Sequence, residues 1–516
     1  MPTPDPRDPL NLPVWRKWAA VTSLSFFGAL ALASEFIIGA LVPVFVLEYD
    51  GIDPRILGSP DLGALAGVGG AVNLNPFSVL AGLGGPPVWQ VALLSSLPLL
   101  MNGVASYVLV PLSIAVGRRP VLLAVGVMAW AGGLWAGASR SLPSHLAARA
   151  FQGLGAGAVE ALIPLVVQDM MFIHQRNRAI SLIGAAQGVF IVSLGIASPI
   201  IVVRLNWRYI YWITAGLGVL AWFFLLAFVP ESRFIRSDAE LAGRPVYALY
   251  PGETRPRLDP SSYGPRDKKS NFGILNVNPE WRRARRAVWE TIKTSVIPNI
   301  LWVMLTNSAL VSIQGAAGQV GSAVLLAAGW QFEHLGLAVI PVVVASPFVW
   351  FFGGYLADRV SNWHAKKAGG RREPEAHLVS LVLPLLCGIA GTVLFGYAAD
   401  NVSTVPIIVF LISIFLIGFA FLTANALLSV YLVESYPGYA GPVLINISSF
   451  RLIIGFALSF DATTWVEQLG FMKSFCIYAA ALGIVTLGLP LVYFYGKKIR
   501  AFTAGKQCCG TMTVDS

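Results

Sequence analysis

Apolar residues come in long uninterrupted runs along this chain, and polar residues gather between the runs instead of alternating with them. Runs bounded by charged or proline-rich breaks lie near 19–47, 88–113, 120–139, 144–168, 179–203 and 208–229, and again near 296–325, 335–357, 377–398, 404–430, 440–462 and 470–495. Each is about the 20 residues that a helix needs to cross a hydrocarbon core. The pattern predicts an all-α membrane protein with twelve transmembrane helices in two six-helix bundles. A tail at 1–18 precedes a first bundle at 19–229, a linker at 230–294, a second bundle at 295–496 and a tail at 497–516. The stretch near 62–86 is apolar but rich in glycine and reads as a loop or a re-entrant segment.

Composition removes the soluble alternative: 56% of the 516 residues are hydrophobic and only 12% are charged, about half the charged share of an ordinary soluble domain. The net charge of +10 reads as topology. Counting Lys and Arg alone, a cytosolic N-terminus leaves only Arg55, Arg140, Arg149, Arg204, Arg208, Arg451 and Lys473 outside the inner segments. Both termini are therefore expected in the cytosol. Aromatic residues are spread through the runs and not interleaved with a basic patch, so nucleic acid is not an expected partner. A phosphate-cradling Gly-x-x-x-x-Gly-Lys-Ser/Thr loop is missing, so energy must come from an ion gradient or the substrate's own. Cysteine is sparse, with Cys387 and Cys476 inside runs and Cys508 and Cys509 in the tail, where the pair reads as free thiols or a palmitoylation site. The N-terminal residues lack the pattern of a cleaved signal, so insertion rests on the first span.

The linker ends in Trp281-Arg-Arg-Ala-Arg-Arg-Ala-Val-Trp-Glu-Thr-Ile292. Trp281, Ala284, Val288 and Ile292 share one helical face, which suits an interfacial helix on anionic headgroups. A solvated charged helix is the plainer alternative.

Short motifs narrow the field. The loop after the second run reads Pro111-Leu-Ser-Ile-Ala-Val-Gly-Arg-Arg-Pro120, and Gly354-Tyr-Leu-Ala-Asp-Arg359 follows the eighth. Arg149-Ala-Phe-Gln-Gly153 lies early in the fourth run, and Asp169-Met-Met-Phe-Ile-His-Gln-Arg176 closes it. The fifth carries Gly188-Val-Phe-Ile-Val-Ser-Leu-Gly-Ile-Ala-Ser-Pro199. On these residues the chain resembles the major facilitator superfamily, and its first half looks like the twelve-span drug:proton antiporter branch as fungi elaborate it. Leu432-Val-Glu-Ser-Tyr-Pro437 and Phe494-Tyr-Gly-Lys-Lys-Ile-Arg500 also look like the fungal branch. The resemblance implies the major facilitator fold, two bundles rocking about a central site. It implies a secondary transporter and not an enzyme, with protons and a small molecule as partners and no cofactor. A monomer in the plasma membrane is the expected form.

The family's inner-loop signature is Gly-x-Leu-Ala-Asp-Arg-x-Gly-Arg-Arg, and here Ile114 stands where the family has its Asp and Val110 where it has its first Gly. In the family that carboxylate latches the halves, so this chain is expected to latch differently. Gly117, Arg118, Arg119, Asp358 and Arg359 are the gate candidates. In the fifth run Ser198 replaces the glycine before Pro199, which weakens the antiporter signature and with it the direction of transport.

Charged and amide residues at membrane depth supply the candidate site. Arg149 sits roughly 9 Å below the outer surface and Glu35 at nearly the same depth. A lone guanidinium in lipid is costly, so Arg149 needs a cavity or a partner, and Glu35 can pair with it. In the family the first and fourth spans are neighbours, which makes Glu35 and Arg149 the proton-coupling candidates; a static ion pair is the plainer reading. Glu160, eleven residues after Arg149, lies about three turns further on the same face and suits a cationic substrate. Gln187, Asn307, Gln314, Asn425, Asn446 and Arg451 complete the expected cavity lining, with helix-to-helix hydrogen bonding as the plainer role for each amide. The reading is a proton-coupled exporter of small organic molecules. An importer of a cationic nutrient such as a polyamine is one alternative. A non-transporting membrane sensor is another, and would want a longer, motif-bearing cytosolic extension.

Overall fold

The computed structural model describes residues 3–54, 57, 85–234, 247, 256–265, 279–367, 373–436 and 439–503. The glycine-rich stretch at 62–86 lies outside these residues except for Gly85 and Pro86, as do much of the linker and the Cys508–Cys509 pair.

The first six spans are α1 (Val14–Tyr49), α2 (Val88–Val116), α3 (Arg118–Ala138), α4 (Leu142–Met170), α5 (Ile173–Arg204) and α6 (Trp207–Phe228). The linker ends in α7 (Trp281–Ser295). The second six are α8 (Pro298–Ala327), α9 (Phe332–His364), α10 (Ala376–Asp400), α11 (Ile407–Ser435), α12 (Gly441–Leu469) and α13 (Phe471–Thr503). An even number of spans returns the chain to the face it left, so both described ends lie on one face, the terminal face, opposite a far face. Helices outrun the apolar windows: α1 starts at Val14 and not near 19, and α12 ends at Leu469 and not near 462. Hydropathy falls off where a helix leaves the hydrocarbon layer, while its backbone hydrogen bonds continue.

Burial runs opposite to a soluble protein. Phe223, Trp350, Leu386 and Phe494 are each more than half exposed, as lipid-facing residues are, while polar side chains turn inward. Small residues set the helix spacing. A Cβ added at Gly153 of α4 would lie 2.6 Å from the Pro98 carbonyl oxygen of α2, so the glycine that closes the Arg149–Gly153 motif lets these backbones touch.

Among the described residues, α1 and α9 carry 3-10 or π-helical segments within their spans. In α1 a 3-10 turn at Ile37–Leu41 begins two residues after Glu35. Pro43 lacks the N–H that would bond the Gly39 carbonyl, and the helix tightens there. In α9 a 3-10 stretch and an α-helical stretch containing Pro341 and Pro347 lead into a π-helical segment at Trp350–Leu356.

Within the bundles α4 packs on α2 and α3, α1 on α5 and α6, α10 on α11 and α13, and α8 on α12. Between the bundles α2 meets α12, and α5 meets the start of α9. The tightened turn of α1 meets α8, where a Cβ at Gly39 would lie 3.3 Å from the Gly318 carbonyl oxygen. One apolar cluster runs from the far end of α1, at Val44 and Phe45, through α8 into the second bundle.

Candidate functional site

A cavity of about 370 Å³ lies between the bundles, walled by α1, α2, α4, α5, α8, α9, α10, α11 and α12. Its surface is mostly apolar, broken by the charged and amide groups of Glu35, Glu160, Gln314, Gln319 and Arg451 and by three serines. A few fixed polar groups in an apolar concavity are the usual form of a small-molecule site.

Glu35 is the penultimate residue of the first regular stretch of α1, Val14–Phe36, and is 3% exposed. Its Oε2 accepts a hydrogen bond from Asn102 Nδ2 of α2 at 3.1 Å, while Oε1 has no protein partner. A buried carboxylate oxygen left without a partner, on a residue that lines a cavity, is a place for a proton or a hydrogen-bond donor. Arg149 is fully buried. Its guanidinium donates to the carbonyls of Leu94 (3.0 Å), Ser34 (3.1 Å) and Glu35 (3.2 Å) and to Gln152 Oε1 (2.5 Å). The structure thus brings Arg149 and Glu35 together through the main chain of Glu35 and not through the expected carboxylate pair. The 3-10 turn after Glu35 frees carbonyls at the end of the first stretch of α1, and the planar fork of arginine collects two of them.

Glu160 on α4 pairs instead with Arg451 on α12, across the two bundles. Arg451 also donates to Asn425 Oδ1 of α11, which accepts in addition from Asn307 Nδ2 of α8 at 3.0 Å. A hydrogen-bonded chain therefore runs Asn307–Asn425–Arg451–Glu160 and reaches the cavity at its charged end. Of the expected lining residues, Glu160, Gln314 and Arg451 do face the cavity, whereas Asn307 and Asn425 stand behind Arg451. Gln187 lies on α5 beside Gly28 of α1, outside the lining. Asn446 is farther removed: its amide donates to the Thr291 carbonyl (2.8 Å) and Thr294 Oγ1 (3.0 Å) of α7, and its Oδ1 accepts from Tyr107 of α2 (3.1 Å). Periodicity had no way to separate cavity walls from the seam behind them.

On the terminal face, Gly117 turns the chain from α2 into α3 at φ +133°, which favours glycine. Arg118 pairs with Asp169 at the end of α4 at 3.2 Å and donates to Ser113 Oγ at 2.7 Å. Glu231, just past α6, accepts from the backbone N–H groups of Arg118 (2.9 Å) and Arg119 (3.2 Å), capping α3. Arg119 donates to the carbonyls of Val229 (2.8 Å) and Leu226 (2.6 Å). Acids from the end of α4 and from just past α6 thus hold this turn within the first bundle, and neither contact bridges to the second. In the second bundle Arg359 is exposed and reaches Tyr355 of its own helix at 3.2 Å, while the Asp358 side chain lies outside the described set.

Sequence reading passed over His145 of α4. It is fully buried, with Tyr49 on Nδ1 and Tyr211 on Nε2, each at 2.9 Å, and its ring stacks on Trp207. Tyr211 in turn lies under the Arg149 guanidinium at 5.9 Å. A histidine in an apolar run carries no local signal of such partners.

The sequence profile described as Major Facilitator Superfamily matches residues 24–459. An uncharacterized MFS-type transporter of Schizosaccharomyces pombe is 20% identical over 454 residues, 78% of this chain and 76% of the relative. The cercosporin MFS transporter of Cercospora nicotianae is 22% identical over 501 residues, 96% of this chain and 87% of the relative. Among solved structures, the xylose transporter XylE from E. coli, in a partially occluded inward open conformation, superposes with a TM-score of 0.58 at 16% identity, over 92% of this chain and 97% of that one.

Proposed function

The chain belongs to the major facilitator superfamily, a family of membrane transporters, and from that premise we propose that it exports small organic molecules against a proton gradient by alternating access. The observation that carries this reading is Glu35, a cavity-lining residue whose buried carboxylate keeps one oxygen without a protein partner, beside the fixed positive charge of Arg149. Arg149 is held by four acceptors, so its positive charge stays fixed beside Glu35. A proton, or a cationic group of a substrate, competes for the open oxygen. Occupancy of the one then excludes the other, which is the exchange that an antiporter needs.

Glu160 and Arg451 are the coupled element. A substrate cation near Glu160 competes with Arg451, weakens the ion pair across the bundles and frees them to rock. The terminal face is cytosolic in this reading, the protein acts as a monomer, and the plasma membrane is its site. The acid pair lining the cavity also favours a second reading, import of a cationic nutrient.

Both are tested in cells expressing the chain by measuring internal levels of lipophilic cations, polyamines and fungal metabolites with and without a protonophore. Lowered levels that recover when the gradient collapses support export. Raised levels of one cation that fall on collapse overturn export in favour of import, and no change in any compound overturns both.

A further inference from the structure

Helix α7 lies on the terminal face against α2 and α12. It turns Ala284, Thr291 and Thr294 to the protein and leaves Trp281, Val288, Trp289 and Ile292 exposed. The apolar face expected from the sequence is therefore split, with Ala284 inside and the bulky residues outside. Exposed tryptophans beside arginines at the end of a membrane span mark the depth of the lipid headgroups.

Between α7 and α2 runs a groove of about 860 Å³, floored by Tyr107, Val108, Pro111 and Leu112 and rimmed by Arg282 and Arg285. These two arginines are three apart and so share one side of the helix. Their neighbours are committed: Arg233 and Arg283 to Glu280, and Arg286 to Glu290. Among the described residues neither Arg282 nor Arg285 has an acidic partner. The helix that carries them is held in place, with the Glu280 N–H on the Ala115 carbonyl at 3.0 Å and Asn446 on Thr291 and Thr294.

From this groove we infer a headgroup site for an anionic phospholipid: Arg282 and Arg285 bind the phosphate and its acidic substituent, and the apolar floor takes the glycerol and the start of the acyl chains. Two unpaired guanidinium groups over an apolar floor beside bilayer-facing residues match a lipid on both counts, whereas a soluble anion uses only the first. Each basic residue near an anionic surface contributes about a five-fold gain in binding.

The test is native mass spectrometry of the full chain equilibrated with phosphatidylserine and phosphatidylcholine. Wild type should retain phosphatidylserine with a preference of about ten-fold or more. The R282A/R285A variant should lose that preference, and R282K/R285K should keep most of it. A photoactivatable phosphatidylserine should cross-link to peptides of α7 and α2, and to those of wild type more than of the alanine variant. Equal retention of the two lipids, an undiminished preference in R282A/R285A, or cross-links confined to other spans overturns the site. Displacement of the lipid by millimolar inorganic phosphate assigns the groove to a free anion and overturns the lipid. No readout depends on transport, so the outcome is independent of the exporter reading.

Discussion

The Arg451 guanidinium of α12 meets the Glu160 carboxylate of α4, joining the two bundles by opposite charges at the wall of the central cavity. Their side chains are 8% and 21% exposed, so the pair is withdrawn from most water yet open to whatever enters. Coulombic attraction in such a place is strong only while both charges persist.

Removing one partner therefore strands the other. E160Q and R451Q should each lower stability by about 2–3 kcal/mol, less than for a fully enclosed pair because Glu160 keeps some cavity exposure. The double variant E160M/R451M should recover most of that loss and still fail to transport. Thermal unfolding in detergent and uptake into proteoliposomes measure the two separately; a double variant that transports normally removes the pair from the mechanism.

Glu35 differs in having an open oxygen. In E35Q the amide still accepts from Asn102 but carries no exchangeable charge, so the fold and melting temperature should stay close to wild type. Gradient-driven transport should fall at least ten-fold, while substrate-for-substrate exchange continues. Flux in proteoliposomes with and without an imposed pH difference checks this, and gradient-driven flux at the wild-type rate removes Glu35 from coupling.

Arg149 is held by four acceptors that a lysine ammonium cannot reach together. R149K keeps the charge but leaves buried carbonyls unpaired, at a cost of about 2–3 kcal/mol. A lowered melting temperature with a parallel fall in transport is expected. Unchanged stability would show that the carbonyls find other donors.

Gly153 tests the seam between α2 and α4. A Cβ 2.6 Å from the Pro98 carbonyl oxygen forces two backbones apart, and overpacking of this kind costs about 1–3 kcal/mol. G153A should express poorly or elute as aggregate in size-exclusion chromatography, whereas G188A, with nothing within 4 Å of the added carbon, should behave as wild type.

What the amino-acid sequence determined by itself is what a single segment can encode. About 20 apolar residues make a span wherever they fall, because unpaired backbone groups cannot remain in hydrocarbon. Twelve such runs, their grouping into six and six, and the family follow from that and from motifs only a few residues long. The need of Arg149 for partners was equally legible, since a guanidinium at that depth cannot stand alone.

The identity of those partners was not legible. Arg451 and Glu160 are 291 positions apart, and nothing local to either names the other. Arg149 takes the Glu35 carbonyl and not its carboxylate because α1 tightens at Ile37–Leu41, a consequence of Pro43 and of the close approach of Gly39 to α8. Asp169 and Glu231 meet Arg118 because the ends of α4 and α6 arrive beside the turn at Gly117. Asn446 serves α7 instead of the cavity for the same reason. Helix rotation and bundle docking decide which polar group meets which, and both arise from the summed packing of many small and apolar residues, which no single segment holds.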